Sequence, residues 1–423
     1  MAKVHHSSNT LYPKLEELTG QQVDWHGCGG IRFAITQEEL DYFRLVEGVS
    51  KNIGFRMQVI SPEEIRKLHP FVDTTGVITG AWTLDDGHVD PSSANNAMAI
   101  GANNMDATIE RRNRVLETNA LPSGEWEVVT EKGTILCEHV VNAAGCYTDR
   151  IGAWVGINLP FINILHQYIV TETIEELAER DVELPVIRDP YCSAYYRQEQ
   201  DGGLIGIYER ENTRVAWADQ KGQDWDAENE FFPEDFDQIS YWAERVMERM
   251  PIYRKTGVVR IVNDAISHTP DSNPLVGPAP GVRNYWLSTG ASIGIAQGGG
   301  CGKYLAQWMV HGAAEINMIG LDPRRFGDFA GNDYVSAESH REYQDMYDLL
   351  LPGQERMDGR PSRDTPLYEI IKAKGCVYTE VMGWERPKWF SLDGREEQGG
   401  FRRNVTFEVV ADDAVCAALK VSA

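Results

Sequence analysis

The stretch that most constrains the fold of this chain runs over residues 284–303 and reads NYWLSTGASIGIAQGGGCGK. It predicts a buried strand at 285–288, a glycine-rich loop at 290–300 and a helix that continues to about Met309. In α/β proteins, a strand that passes through glycines into a helix brings backbone N–H groups close to an anionic or electron-rich ligand, and the helix N-terminus adds partial positive charge there. The pattern therefore predicts a ligand-binding loop, with a structural glycine-rich turn as the alternative.

A second stretch also combines a buried strand with small residues at its end. Residues 137–148, CEHVVNAAGCYT, read as a buried strand that ends in small residues. Ala143, Ala144 and Gly145 leave room at the strand end for a planar or pyrophosphate-bearing group. We therefore count these three residues among the candidate cofactor contacts.

Together the two stretches resemble the glycine-oxidase-type flavoproteins of the D-amino-acid oxidase superfamily. Other stretches resemble the dimethylglycine and sarcosine dehydrogenase group within it: HQYIVT at 166–171, LPVIRD at 184–189, AYYRQE at 194–199, DSNPLVG at 271–277 and GWERPKW at 383–389. The resemblance extends over nearly the whole chain, from about residue 11 to residue 409.

The resemblance implies a mixed α/β and α+β fold with incomplete FAD-binding, glutathione-reductase-like layers, an antiparallel substrate sheet and a small connector module. The expected parts are listed in chain order: a first FAD-binding segment at 1–160, a substrate-binding antiparallel sheet at 161–263, a returning FAD-binding segment at 264–320, a central connector domain at 321–390, and the start of a truncated aminomethyltransferase-like domain at 391–423. The first and the returning FAD-binding segments are expected to meet around a mixed sheet, with 284–310 packed against 137–150.

The sequence departs from the family pattern near both ends. The family opens its flavin domain with a G-x-G-x-x-G turn followed by a flavin-tethering His, and no such turn is found here. His5 and His6 lie near the tethering region without a matching motif, so the tether is not carried over. We expect the chain to be the middle of a longer enzyme that binds flavin weakly and oxidises little substrate by itself. Tetrahydrofolate is expected only in full-length relatives.

The implied reaction is the FAD-dependent oxidation, with demethylation, of an N-methylated glycine such as dimethylglycine or sarcosine. It would proceed by hydride transfer from the N-methyl carbon to the flavin, because no side chain accepts two electrons. An electron-acceptor protein or oxygen would reoxidise the flavin. The alternative is a non-catalytic fragment or subunit that does not hold flavin alone.

The cofactor contacts follow from the same motifs. The loop expected to line the isoalloxazine ring comprises Gly290, Ala291, Ser292, Ile293, Gly294 and Ile295. Val115 matches the family position that contacts the adenine end of FAD through its backbone, and a core valine is the alternative reading.

Three residues are the candidate catalytic side chains. The family resemblance places His166 close to the flavin, bonded to a Tyr, where it helps to orient the substrate amine and set its protonation. Tyr195 and Tyr196 are adjacent in a strand and point to opposite faces, so only one can face the pocket. We expect that one to lie within hydrogen-bond reach of His166, directly or through one water, beside the 290–295 loop.

The substrate carboxylate calls for a cationic partner. Arg188 and Arg197 are the candidates, and Arg197 shares a strand face with Tyr195. A solvated surface arginine is the alternative for each.

Composition excludes other classes of partner. Forty Lys and Arg against sixty-four Asp and Glu give a net charge of −24, which argues against nucleic acid and an anionic membrane surface. No apolar run is long enough to cross a bilayer, so we expect a cytoplasmic protein, or a mitochondrial-matrix one in a eukaryote. Seven scattered cysteines predict free thiols rather than a disulfide framework or zinc site.

Local signals predict several helix starts. Thr36 with Glu39 and Ser61 with Glu64 have capping-box spacing, and Thr10 is expected to cap a helix that ends at Gly20. The acidic run DDGHVD at 85–90 lacks the spacing of a metal site. We interpret it as a turn in which Asp90 caps the next helix, and we expect no metal.

Overall fold

The computed structural model describes residues 1–218, 222–227, 231–352, 354–391 and 394. The helices in these ranges are α1 (Ala2–Leu11), α2 (Leu15–Thr19), α3 (Gln37–Ile53), α4 (Pro62–Leu68), α5 (Pro91–Asn104), α6 (Thr148–Ala153), α7 (Glu175–Ala178), α8 (Phe236–Arg249), α9 (Gly294–His311), α10 (Asn332–Gln344) and α11 (Tyr368–Lys372). The strands are β1 (Gly30–Ala34), β2 (Met57–Ile60), β3 (Thr79–Thr83), β4 (Val115–Ala120), β5 (Trp126–Thr130), β6 (Gly133–Cys137), β7 (Val140–Asn142), β8 (Ile162–Thr171), β9 (Val186–Asp189), β10 (Ala194–Glu199), β11 (Gly202–Ile207), β12 (Val258–His268), β13 (Leu275–Pro278), β14 (Tyr285–Thr289), β15 (Cys376–Val381) and β16 (Trp384–Phe390).

The largest sheet has eight strands in the order β12-β8-β11-β10-β9-β1-β3-β2. It includes the expected substrate strands β8 to β12, but β1, β3 and β2 from the first part of the chain extend it. The junction is parallel, with Gly30 opposite Val186, whereas the neighbouring pairs are antiparallel. The sheet is therefore larger than we expected from 161–263 alone, and it is mixed rather than purely antiparallel.

One face of this sheet forms the main core. Strand residues such as Ile31, Ile187 and Ile205 point to this face and pack against α8, whose Ile239 and Val246 are fully buried. Because side chains alternate along a strand, the residues between these point to the opposite face. That second face contacts α10, and it contains the candidate site.

A smaller three-stranded sheet joins the two stretches from which the sequence analysis began. Its order is β13-β14-β7, and β14 pairs in parallel with β7 through Trp286 opposite Val141. Tyr285 and Leu287 are fully buried on its inner side. The predicted strand at 285–288 and its meeting with the 137–148 stretch are confirmed, as is a mixed α/β fold.

The glycine-rich segment differs from the prediction. Helix α9 begins at Gly294, so the glycines at 298–300 lie inside the helix and not in a loop. Their role is packing against α1. A Cβ on Gly300 would lie 2.2 Å from the carbonyl oxygen of Val4, and the Gly300 N–H donates to Ser8 Oγ at 2.9 Å. Glycine is therefore required here because the backbones of two helices touch.

The predicted helix starts have a mixed outcome. The capping boxes at Thr36 and Ser61 are both formed, and Asp90 accepts from the Ser93 N–H at 2.7 Å. The expected start at Thr10 is wrong, because α1 already begins at Ala2 and the Thr10 hydroxyl donates back to the His6 carbonyl at 2.9 Å. The contact of α1 with α9 explains this longer helix.

The segment after residue 320 has its own small elements. Helix α10 packs on the large sheet, and β15 and β16 form a hairpin. Residues 391 and 394 apart, the 391–423 segment expected to begin a further domain lies outside the described residues. None of the helices in the described ranges is both long enough and apolar enough to cross a lipid bilayer.

Candidate active site

His166 lies on β8, on the face of the large sheet opposite α8. It is buried, with 8 % of its surface exposed, and its Nδ1 lies 3.2 Å from the hydroxyl oxygen of Tyr343. Its Nε2 is buried and has no hydrogen-bond partner among the described residues. A buried polar atom without a partner is costly unless something else binds it, so Nε2 is a candidate contact for a ligand.

Tyr343 is contributed by α10 and connects His166 to a carboxylate. Its hydroxyl donates to Glu209 Oε2 at 2.7 Å, and Gln238 Nε2 donates to Glu209 Oε1 at 2.6 Å. A hydroxyl has one proton. Because Tyr343 donates that proton to Glu209, it accepts from His166, and the imidazole proton is therefore assigned to Nδ1.

Burial sets the charge states of this group. It lowers the pKa of His166 to about 3, with a smaller contribution from the nearby His268. It also raises the pKa of Glu209 to about 7, against the opposing effect of the hydrogen bond from Tyr343. The imidazole is therefore neutral at neutral pH, with its lone pair on Nε2.

The structure separates the two candidate tyrosines. Tyr195 faces the site, with its ring stacked 6.1 Å from that of His166. Tyr196 faces the core and donates to Asp189 Oδ2 at 3.0 Å. A direct hydrogen bond from His166 to Tyr195 or Tyr196 is not formed, because the hydroxyl bonded to His166 belongs to Tyr343, and the bridge through one water stays a prediction.

Gly206 provides the space in which Tyr195 lies. The two residues are opposite each other on β11 and β10, and a Cβ on Gly206 would lie 2.1 Å from the Tyr195 ring. Tyr208, two residues further along, is on the same face with its ring 4.3 Å from that of His166. The rings of Tyr195, Tyr208 and Tyr343 therefore surround the imidazole. Sequence reasoning identified neither Tyr208 nor Tyr343.

The two candidate arginines differ in their surroundings. Arg188 is opposite Tyr195 across β9 and β10, next to Arg32 of β1, and its Nη1 lies 2.7 Å from Asp86 Oδ2. The charge of Asp86, only partly opposed by burial, raises the pKa of Arg188. Arg197 instead forms an ion pair with Glu199 at 2.6 Å in its own strand. Both arginines lie on the face that contains Tyr195, but Arg188 is opposite Tyr195, whereas Arg197 is two residues further along β10 and further from His166.

The loop predicted to line a flavin spans residues 290–293 and leads into α9. Gly290 has a positive φ of 68°, which favours glycine. Ser292 Oγ is buried without a hydrogen-bond partner among the described residues, while Ile293 and Ile295 are 42 % and 39 % exposed. The loop thus combines an unsatisfied hydroxyl with exposed apolar surface at a helix N-terminus.

The other predicted cofactor residues lie near this loop or at a strand start. Thr289 Oγ1 donates to the carbonyl of Gly145 at 3.3 Å, which brings the 143–145 turn next to the loop. Val115 begins β4 and is partly exposed. The contacts of these residues with a cofactor stay predictions.

The loop also adjoins the large sheet. A Cβ on Gly290 would lie 2.9 Å from the methyl group of Thr269, the residue that follows β12. The last residue of β12, His268, has its ring 5.3 Å from Tyr343, whose ring is 6.1 Å from His166. A continuous set of contacts therefore links the loop to the imidazole.

These features fit a flavin. Exposed Ile293 and Ile295 offer an apolar surface for a planar ring, and the amino end of α9 has no side-chain cap. Uncapped N–H groups and a helix dipole stabilise negative charge on a bound group. Ser292 Oγ adds a hydroxyl that is free to bond it.

A second cluster contains His88 from the acidic run. His88 Nε2 and His26 Nδ1 each lie 2.5 Å from one oxygen of Glu183, and the three side chains are close enough to be considered as metal ligands. The two rings, however, are stacked with centroids 4.6 Å apart and planes 9° from parallel. A metal ion lies in the plane of each imidazole that binds it, so one ion cannot satisfy both rings. We interpret the cluster as a hydrogen-bonded clamp.

Comparison with known proteins agrees with this geometry. Residues 1–308 match the FAD dependent oxidoreductase (DAO) family, and residues 311–365 match the FAD dependent oxidoreductase central domain. Mitochondrial dimethylglycine dehydrogenase of Mus musculus is 37 % identical over 419 residues, covering 98 % of this chain and 48 % of that protein. Mitochondrial sarcosine dehydrogenase of Mus musculus is 32 % identical over 394 residues, covering 91 % and 42 %. The chain therefore spans about half the length of these relatives.

A solved structure shows the same fold. The L-proline dehydrogenase of P. horikoshii superposes with a TM-score of 0.65 at 24 % identity, covering 76 % of this chain and 82 % of that one. The family match covers well over half of the chain, and the dehydrogenase matches extend over nearly all of it. The chain therefore belongs to the FAD-dependent oxidoreductase family of the D-amino-acid oxidase type.

Proposed function

We propose that this chain carries the oxidising site for FAD-dependent demethylation of an N-methylated glycine such as dimethylglycine or sarcosine. The observation that carries the proposal is the buried Nε2 of His166, which has no partner among the described residues and lies on the face that contains Tyr195 and Arg188. The names of the similar dehydrogenases support this substrate class.

The residues of the site suit such a substrate. Oxidation at the carbon beside nitrogen requires the amine to be neutral, and the unprotonated Nε2 of His166 can accept a hydrogen bond from the amine N–H and orient the nitrogen. The guanidinium of Arg188 can bind the substrate carboxylate through two N–H donors. Burial of the imidazole excludes water there, which strengthens its contact with the amine. FAD, when bound, supplies the two-electron acceptor that the side chains lack.

The test is anaerobic reduction of protein-bound FAD. The chain is loaded with FAD and mixed in turn with dimethylglycine, sarcosine and glycine, while the flavin absorbance is followed. We expect the two N-methylated glycines to bleach the fraction of the chain that holds FAD and to release formaldehyde, with little overall turnover because the chain binds flavin weakly, and we expect glycine to be much slower. His166→Ala should slow bleaching by about 10²–10⁴-fold. His311→Ala, at the exposed end of α9, is the matched control.

Two results would contradict the proposal. A His166→Ala protein that bleaches as fast as its parent would remove the assigned role of the imidazole. A chain that binds FAD but is bleached by neither N-methylated glycine would favour the alternative, a non-catalytic fragment or subunit. The electron acceptor, either another protein or oxygen, and the cellular compartment stay predictions.

A further inference from the structure

We infer that Glu209 and Tyr343 are positioning residues that hold His166 in one tautomer, with the proton on Nδ1 and the lone pair on Nε2. The inference deepens the proposed function, because that function needs Nε2 to present its lone pair to the substrate amine. The tautomer itself depends on neither flavin nor substrate. It also gives the segment after residue 311 a role in the reaction, since Tyr343 lies in the matched central domain.

The direction of the hydrogen bonds follows from the side-chain amide of Gln238, which lies at one end of the series Gln238, Glu209, Tyr343 and His166. Gln238 Nε2 donates both to Glu209 Oε1 at 2.6 Å and to the carbonyl of Asn212 at 3.3 Å. A backbone carbonyl only accepts, so the amide of Gln238 must present its NH₂ group to Glu209. In its ionised form, which predominates above its pKa of about 7, Glu209 then accepts at both oxygens and leaves Tyr343 to donate.

Packing keeps Tyr343 in this position. Its side chain is fully buried, with its ring 5.1 Å from that of Tyr208 and 5.3 Å from that of His268. Next to it on α10, Glu342 accepts from His268 Nδ1 at 2.6 Å. Two adjacent residues of α10 therefore engage two histidines on neighbouring strands, and the helix cannot shift without losing both bonds.

Replacing Glu209 with Gln makes a sharp test, because the two residues have the same shape. The donor from Gln238 keeps the new carbonyl oxygen in the Oε1 position, so the new NH₂ group faces Tyr343. Tyr343 must then accept from it and donate its own proton to His166 Nδ1. The Glu209→Gln variant is therefore expected to reverse the tautomer, with the proton moving to Nε2.

The experiment is ¹⁵N NMR of the imidazole nitrogens in the flavin-free chain at pH 8, with His166 assigned by its loss in His166→Gln. We expect the parent chain to show a protonated Nδ1, Glu209→Gln to show a protonated Nε2, and Tyr343→Phe to show a mixture. Tyr347→Phe is the matched control, since Tyr347 is a buried tyrosine near Tyr208 with its ring 5.6 Å away, and it should leave the tautomer unchanged.

The parent spectrum alone can overturn the inference, so folding of the variants is not decisive. A parent chain with the proton on Nε2 would contradict it, and so would Glu209→Gln and Tyr343→Phe spectra identical to that of the parent. Failure of the proposed function would look different. In that case the tautomer of His166 would still change in Glu209→Gln and Tyr343→Phe as described. The FAD of the loaded chain, however, would stay oxidised when N-methylated glycines are added.

Discussion

Arg188 faces the site with its guanidinium already paired, because its Nη1 lies 2.7 Å from Asp86 Oδ2. The pair is partly exposed, and the side chain of Arg188 retains 38 % of its accessible surface. A guanidinium has five N–H donors, and the bond to Asp86 uses one of them. Arg188 can therefore bind a substrate carboxylate while Asp86 holds it in place.

The two arginines predicted from the sequence can be compared directly. Arg188→Gln is expected to raise the KM for dimethylglycine at least about tenfold, the equivalent of 1.4 kcal/mol, because a charge-assisted hydrogen bond is lost. Arg197→Gln is the control and should change KM little, since Arg197 lies opposite Leu204, further along the sheet from His166 than Arg188. Steady-state kinetics of the loaded chain would decide. Equal effects of the two substitutions would contradict the assignment of Arg188.

The tautomer of His166 is expected to depend on pH through Glu209. Burial raises the pKa of this carboxyl to about 7, so it takes up a proton as the pH falls below that value. A protonated Glu209 can donate to Tyr343, which then donates to His166 Nδ1 and moves the imidazole proton to Nε2. Flavin reduction should therefore fall below about pH 7, although His166 itself stays neutral down to about pH 3.

Other charged groups face this chain of hydrogen bonds. Arg214 lies near Glu209 and opposes the rise of its pKa, while His268 lowers the pKa of His166. Glu342, bonded to His268, lies at the far side of Tyr343. The control is Glu209→Gln, which has no carboxyl to titrate. A pH profile with the same inflection in this variant would show that another group is responsible.

The clamp of His26, His88 and Glu183 is expected to make stability depend on pH. Burial lowers the pKa of His26, but the hydrogen bond and charge of Glu183 outweigh it and raise the pKa overall. The contribution of protonated His26 to the free energy of unfolding is fully present below about pH 6.5, and it is lost as the pH rises through the raised pKa of His26 in the folded state. Burial raises the pKa of Glu183, but the bonds to His88 and His26 lower it overall, so its contribution is lost as the pH falls.

The measurement is thermal unfolding at several pH values. Glu183→Gln should lower Tm most near pH 5.5, between the unfolded values of about 4.3 and 6.5, and less near pH 8. Glu244→Gln, a substitution at an exposed glutamate of α8, should show no such pattern. A Tm difference that is constant with pH would rule out the clamp.

Two glycines of α9 should respond oppositely to the same substitution. Gly300→Ala is expected to destabilise the chain by about 1–3 kcal/mol, because the new methyl group collides with the Val4 carbonyl. Gly302→Ala has open space and should stabilise by up to about 1 kcal/mol through helix propensity. Denaturant unfolding measures both. A stabilising Gly300→Ala would show that α1 does not pack as described.

Local patterns were sufficient for some of this structure. The capping boxes at Thr36 and Ser61 and the meeting of the 137–148 and 284–303 stretches follow from short-range rules and strand pairing. Tyr195 and Tyr196 point to opposite faces of the sheet because side chains alternate along a strand. Which of them faces the site did not follow, because it depends on which helix covers each face.

Tyr343 shows where sequence reasoning failed. It lies 177 positions from His166, on a helix whose sequence is mostly polar. The buried residues of α10 are Val335, Glu338, Ser339, Glu342 and Tyr343. Their spacing of three and four is a helical stripe, but four of its five members are charged or hydroxylic, so a search for apolar periodicity passes over it. A search for polar stripes would have found it.

The packing of α1 on α9 has a consequence for the order in which the chain folds. Ser8 bonds to Gly300, 292 positions away, and Val4 is fully buried by the same contact. During synthesis α1 emerges before α9 and lacks this partner until the ribosome has added the 292 positions that separate Ser8 from Gly300. Its apolar side stays accessible to chaperones for that interval. Because contacts of such long range form slowly, we expect docking of the first helix to be a late event in the maturation of the protein.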